Sequence, residues 1–504
     1  MATLSTDDVI VFNGGTSTDL QNAINLAMKN GRALYLTPAP TSPTVPAIYT
    51  VGNLEIRPQT ANNNKKALRL FAAPGTVTLK LGQSASHILK IESASEVEVS
   101  GIDFDASYDP AAPSPITVTW GAIYALLSNR VRIEKCRIFA SSDAGLRLEK
   151  CGTQAAFSPP AVWWPHGQPN SVTTGFKDKG ATIIDNEIFA CFGNAITSDR
   201  STGLLIKNNV IRAIKGNGVS VMHWDFTSRP GPGGTSLFYS QFSGARIEDN
   251  FITDIEVVDP SSTGQEGNGI TCWLANNVTV SNNTIRFCRF SAARFNSCSG
   301  VTVTGNDCYA LGETALYCEE PDGSYVPGSH PVQSIFANNA VNQCRFGITV
   351  TNFVFNNAGC RLSTVANNIV RNCHGPEGQG QGISVSGDAS VTGNVVECCD
   401  LVGINLGVNG NTRDLLVTGN VVRNCLWGIA AATDGGEVLI NSNIVDVANP
   451  STNGIVRVVY SGTYTFGPAL PNASYPRVKV NANDVHNLGT PVSPSDACEP
   501  APAF

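Results

Sequence analysis

Val278–Arg286 reads VTVSNNTIR, and Val301–Tyr309 reads VTVTGNDCY, the same pattern 23 residues further on. Apolar residues alternate, an asparagine follows at the sixth place, and a second short apolar alternation begins. Working outward, the pattern recurs upstream as ATIIDNEIF, LLIKNNVIR and ARIEDNFIT. Downstream it recurs as STVANNIVR, ASVTGNVVE, LLVTGNVVR and VLINSNIVD. The asparagines fall at Asn186, Asn209, Asn250, Asn283, Asn306, Asn339, Asn368, Asn394, Asn420, Asn443 and Asn483. A period-2 alternation marks a strand, and a fixed repeat of a little over twenty residues marks a stacked array. Each repeat is too short to bury its apolar face alone and must bury it against the next. The expected fold is therefore all-β, a right-handed parallel β-helix in which each coil is three short strands joined by bends, with longer spacings taken up by loop insertions. The asparagines are expected at bends, where they tolerate left-handed backbone and can bond to the equivalent amide one coil away.

Five residues after that asparagine stand Cys191, Cys288, Cys344, Cys373, Cys399 and Cys425. Successive coils lie ~4.8 Å apart, so these cysteines form a column of small buried thiols, a distance that also allows a disulfide between neighbours. The total of 15 cysteines is odd and follows the repeat rather than a CxxC framework.

Charged residues make up only 14% of the 504 and the formal net charge is −7. Without a basic run interleaved with aromatics, a nucleic-acid partner is not expected. No apolar run approaches the ~20 residues of a membrane-spanning helix. The opening MATLSTDDVIVF lacks a basic stretch leading into an apolar one, so the expectation is a cytoplasmic protein or one whose export signal has been removed. Asp19–Gly31, DLQNAINLAMKNG, has helical apolar spacing and leads into the strand ALYL. A solenoid needs its open end covered, and this helix is its cap. The organisation expected is a cap with first coils over 1–85, a β-helix over 86–475, and a closing segment or tail over 476–504. Insertions interrupt the helix near 152–180, 225–243 and 320–333.

A helix of the DLQNAINLAMKNGRALYL type leading into Asn-turn coils resembles the pectate-lyase-like right-handed parallel β-helix superfamily. More narrowly, GNGITCWLANNVTVSNNTIRFCRFSAARFNS, ETALYCE, FGITVTNF and TRDLLVTGNVVRNC are similar to the uncharacterised twin-arginine-translocated repeat proteins of bacteria. The first resemblance implies action on acidic polysaccharides. The second implies a periplasmic or extracellular location and brings no catalytic residues with it.

Aligning the strand after each cysteine bend gives AGLRLE, NAITSD, NGVSVM, NGITCW, SAARFN, TALYCE, FGITVT, QGISVS, VGINLG and WGIAAA. The third and fifth residues are nearly all apolar and face the core, so the fourth and sixth face outward. Chemistry-capable outward residues concentrate between 147 and 320. Arg294, Asn296, Tyr317 and Glu319 form one expected cluster, with Trp273 beside it. Arg147, Glu149 and Asp199 form a second. The insertions carry Trp163 and Trp164, whose flat faces suit sugar rings. Either cluster also has a bland reading as a solvated ladder of paired charges, and the Trp pair as a satellite core.

For a uronic-acid glycan, β-elimination would use Arg294 and Asn296 to hold the C5 carboxylate, since a guanidinium fork fits a carboxylate. Tyr317 would be base, acid or both if Arg294 lowers its pKa, His223 would be an alternative base, and Glu319 would orient Arg294. Bound Ca²⁺ is compatible with this chemistry but no tight acidic cluster signals it. Hydrolysis is the rival, with Glu149 and Asp199, or Glu319 and an acidic neighbour, as its carboxylate pair. Glycan isomerisation or transfer in the same groove is a further option. A noncatalytic glycan-binding or adhesive solenoid, alone or as a homo-oligomer, is the reading from a different class.

Overall fold

A computed structural model describes residues 8–38, 45–58, 67–112, 115–152, 180–223, 243–258, 266–320, 333–352, 362–407, 414–433, 436–447, 454–460, 464–470, 477–487 and 498, with three two-residue strands between 229 and 242. The insertion carrying Trp163 and Trp164 lies outside these residues, as do most of 224–242 and all of 321–332.

The chain forms two compact units, one of Met1–His223 with Phe242–Glu266 and one of Trp224–Gln241 with Gly267–Phe504. In the first, each coil contributes a strand to each of three parallel columns. Thr182–Ile184, Glu187–Cys191 and Ile196–Asp199 are one coil. They pair in register with Leu205–Lys207, Val210–Ile214 and Val219–Met222 of the next. The alternation read from sequence sets which side chains point in: Ile183, Ile188, Ile196, Ile206, Ile211 and Val219 are fully buried.

The capping helix spans Ser17–Asn30. Thr16 and Asp19 form a reciprocal capping box at its start, and Gly31 ends it with a left-handed φ of 64°, a conformation that costs glycine nothing. Leu20, Ile24, Ala27 and Met28 are its buried stripe.

The second unit repeats the three-column plan from Ile270–Trp273 to Val478–Asn481 and Asp484–Asn487. Near its end the strand Ile455–Tyr460 turns back antiparallel onto Tyr464–Ala469, where Phe466 stacks on Trp427 with ring centroids 5.2 Å apart.

The asparagine column is an amide ladder in both units. Asn186 donates to Asn209 and Asn209 to Asn250, each at 3.0 Å. In the second unit the chain of amides runs Asn283, Asn306, Asn339, Asn368, Asn394, Asn420, Asn443, Asn483. The left-handed backbone, however, belongs to the residue before each ladder asparagine: Asp185, Asn208, Asp249, Asn282, Gly305, Asn338, Asn367, Gly393, Gly419, Ser442 and Ala482. That corrects the expected role of the ladder residue, whose amide is used for bonding while its neighbour makes the turn. The cysteines five residues on are buried as read, and Cys344 Sγ lies 3.7 Å from Cys373 Sγ without a bond. A disulfide does form elsewhere, between Cys398 and Cys498.

Candidate functional site

The outward ladder of the second unit has the register read from sequence. Thr271 faces Arg294, Arg294 faces Tyr317, and Tyr317 faces Thr349; beside them Trp273, Asn296, Glu319 and Thr351 form a second row. The ladder continues through Ser384, Asn405 and Ala430. The alternation puts these side chains outside the core, yet they are not solvated. Arg294 is 8% exposed, Tyr317 9%, Glu319 7% and Asn296 4%. The expectation of a solvent-facing ladder is corrected here: stacked at the inter-strand spacing, each side chain is flanked by its neighbours on adjoining coils.

Burial makes the pairing of these groups obligatory. Arg294 Nε and Nη2 donate to Glu319 Oε1 at 2.7 and 2.6 Å, and Asn296 Nδ2 reaches the same oxygen at 3.2 Å. Glu319 and Arg294 are therefore a bonded pair across neighbouring coils. The guanidinium also lies over the Tyr317 ring, 5.2 Å from its centroid, and its Nη1 is 3.7 Å from Glu313 Oε2. Glu313 accepts from Ser291 Oγ at 3.5 Å. One guanidinium thus bridges two carboxyls.

Burial acts on the acidity of two of these groups. Burial pushes the Glu313 carboxyl above the usual carboxylate range, with Glu319 adding to the rise and Arg294, Arg345 and Ser291 opposing it. Burial also pushes the Tyr317 phenol well up, reinforced by the charge of Glu319 and a hydrogen bond to it, and Arg294 only partly offsets this. The direction is opposite to the lowering by Arg294 that service as a base was expected to need, because burial outweighs the guanidinium.

Glu313 and Arg345 were not among the expected site residues. Both stand one place before the aligned windows TALYCE and FGITVT, on neighbouring coils. Starting the alignment one residue earlier brings them in as an acid and a base at one level of the ladder. Asn296 Oδ1 is buried with no hydrogen-bond partner among the described residues. Trp273 is half-buried, paired in register with Asn296.

The first unit holds the second expected cluster. Arg147 pairs in register with Thr197, and Glu149 with Asp199. Glu149 and Asp199 share one cation, Arg200, whose Nη2 lies 3.2 Å from Glu149 Oε1 and 3.0 Å from Asp199 Oδ2. Tyr124 donates to Glu149 Oε2 at 2.7 Å. His223 is fully buried at the end of Val219–Met222, enclosed rather than presented to a ligand. The sequence window opened too late to include Tyr124 and Lys90, although HILKIE and GAIYAL read in the same frame as AGLRLE.

Stacked parallel coils with an amide ladder and a capped first coil define a right-handed parallel β-helix. Consistent with this fold, residues 48–229 match the family model described as right handed beta helix region. Residues 235–465 match the model described as periplasmic copper-binding protein (NosD). No curated protein matches the sequence. Among solved structures the chain is similar to the surface protein and adhesin PfbA of Streptococcus pneumoniae, at 12% identity over 94% of this chain and 97% of that one, with a TM-score of 0.45. It is also similar to the Dettilon tailspike protein, at 14% identity over 90% and 72% with a TM-score of 0.42. A pectate lyase is matched at 12% identity over 66% and 72% with a TM-score of 0.39.

The second family description names copper, and the described residues do not offer it a ligand set. Among the described residues no three His, Cys, Asp or Glu side chains converge as a metal would need. The cysteine column lies in the core, where burial and mutual contact hold the Cys373, Cys399 and Cys425 thiols well above the usual thiol range. A copper ligand must be deprotonated and reachable, and these thiols are buried.

Proposed function

We propose that the protein is a carbohydrate-active β-helix enzyme and that the second unit cleaves a glycosidic bond by acid–base chemistry, with Glu313 as acid and Glu319 as its carboxylate counterpart. The observation that carries this reading is a single guanidinium between two carboxyls, one of which, Glu313, is pushed above the usual carboxylate range by burial. A pair of carboxyl groups at one site is the usual equipment of glycosidases. Glu313 would give its proton to the leaving glycosidic oxygen as the C1–O bond breaks. Water would add to C1 and pass its proton to Glu319. Asn296 Oδ1 and Trp273 would hold the sugar through a hydroxyl and a ring face.

Elimination fits the arrangement less well. Arg294 is occupied by Glu319 and Glu313, Tyr317 keeps its proton, and His223 is enclosed. An exported location is supported by the Cys398–Cys498 disulfide, since structural disulfides persist in oxidising compartments.

The test is incubation of the protein with neutral and uronic-acid glycans, following reducing ends and absorbance near 235 nm together. Reducing ends without absorbance, lost by ~10²-fold or more in Glu313→Gln, are expected from removal of a general acid. Absorbance at 235 nm would replace hydrolysis by elimination. Tight glycan binding with neither signal would establish a binding solenoid, a reading that the Thr349, Ser384, Asn405, Ala430 ladder favours because none of these side chains titrates.

A further inference from the structure

In the first unit, the outward ladder begins before Arg147. Lys90 pairs in register with Tyr124, and Tyr124 with Arg147, on three successive coils. Tyr124 is only 5% exposed because Trp120 covers it: the two rings stack at 6.0 Å with 26° between planes. Trp120 itself is 45% exposed, a large flat apolar face turned to solvent. Gly121 follows it, with a φ of 132° that side-chain-bearing residues rarely adopt and a position at which a Cβ would lie 3.1 Å from the Ala144 carbonyl oxygen.

The cations around this face are unequal. Lys90 is paired with Glu92 at 3.2 Å, and its Nζ lies 5.8 Å from the Tyr124 ring centroid. Arg200 is held by Glu149 and Asp199. Arg147 lies 5.1 Å from the Trp120 ring centroid, and its Nε is buried with no hydrogen-bond partner. Among the described residues it enters no ion pair closer than 4.0 Å. Asp143 is the acid whose charge it feels, and burial pushes that carboxyl up, weakening it as a competitor for the guanidinium.

We propose that Trp120, Tyr124, Lys90 and Arg147 form a subsite for an acidic sugar residue, the pyranose face stacked on Trp120 and the sugar carboxylate held by the Arg147 guanidinium. This deepens the glycan reading above and rests on it for the class of ligand. The pairing is the physical requirement of a uronic acid. Its ring offers C–H groups to an aromatic face, and its carboxylate needs a planar fork of donors that no other ion pair consumes. Glu149 Oε1 and Asp199 Oδ2, already sharing Arg200, stand one row over as acceptors for ring hydroxyls.

The experiment is affinity electrophoresis and calorimetric titration of the full chain against polygalacturonate, alginate and a glucuronate polymer, each compared with its carboxyl-reduced counterpart. Wild type is expected to bind at least one acidic polymer about tenfold or more tightly than the reduced form. Trp120→Ala weakens binding to both forms, Trp120→Phe retains most of it, and Arg147→Gln removes the acidic preference while leaving the neutral affinity in place. Equal binding of acidic and reduced polymers, binding to none of them, or unchanged affinity in Trp120→Ala with an unaltered melting curve would each overturn the subsite. Repeating the titration in Glu313→Gln separates the two readings. Loss of reducing ends reports on the second unit alone, and the acidic preference reports on this face alone.

Discussion

Arg294 is the residue on which the second unit's polar cluster turns, since it meets Glu319, Glu313 and the Tyr317 ring from one buried position. Breaking a buried ion pair from one side leaves an uncompensated charge, at a cost of about 3–5 kcal/mol. Arg294→Met is therefore expected to lower stability by that amount in urea unfolding, and Arg294→Met with Glu319→Leu to recover most of it. Equal losses in the single and double variants would deny the pairing its role. Glu313 supplies the pH dependence. Its folded pKa is raised, so the folded state holds the proton that the unfolded chain releases. Stability from this group is present below the ordinary glutamate value and is lost as pH rises through the folded one. Activity that needs the proton falls over the same rise. Arg345 opposes the shift, so Arg345→Gln is expected to move the alkaline limb of the kcat/KM profile to higher pH, and a limb that stays put would remove Glu313 as the acid. The pairing of Arg294 with Glu319 was legible from coil spacing because in-register columns need only a count. The protonation of Tyr317 was not legible, because burial on the outward face depends on what surrounds the ladder, and the period does not report it.

The ladder asparagines act at the scale of the strand columns. Asn394 donates to Val365 O, Thr392 O and Asn420 Oδ1, and its own Oδ1 accepts from the backbone and amide of Asn368. Asn394→Ala strands buried groups on both neighbouring coils, each costing roughly 1–3 kcal/mol. Asn483 ends the ladder, and its neighbours there are more exposed. Asn483→Ala is expected to cost less than half as much in the same urea titration; equal costs would mean that the amides bond without cooperating along the column. The strands and their facing were readable because alternation and repeat agree throughout. The division of labour at the bend was not, since asparagine serves both a left-handed turn and a side-chain ladder, and adjacent pairs such as Asn208–Asn209 and Asn367–Asn368 use one residue for each.

At the scale of the molecule, a solenoid's stability is a sum of coil terms and nearest-neighbour interfaces, so a local tie should have a local effect. The Cys398–Cys498 disulfide is such a tie, joining residues 100 apart in sequence. It escaped the sequence reading because Cys498 lies in the Pro-rich tail, beyond the period that placed the other thiols, and Cys398 sits one residue off the column begun by Cys399's equivalents. Cross-links of this kind typically contribute about 2–4 kcal/mol by restricting the unfolded chain. Cys498→Ser is expected to raise amide hydrogen exchange in the coils that contain Val395–Cys399 and Val421–Cys425, while Leu20–Met28 and the coils through Asp199 keep their protection. One additional thiol, Cys398, should become titratable in the folded protein, whereas the buried free cysteines of the described residues, such as Cys136 and Cys425, should react only on unfolding. If protection falls alike in both units, stability is shared globally and the nearest-neighbour account of this solenoid fails.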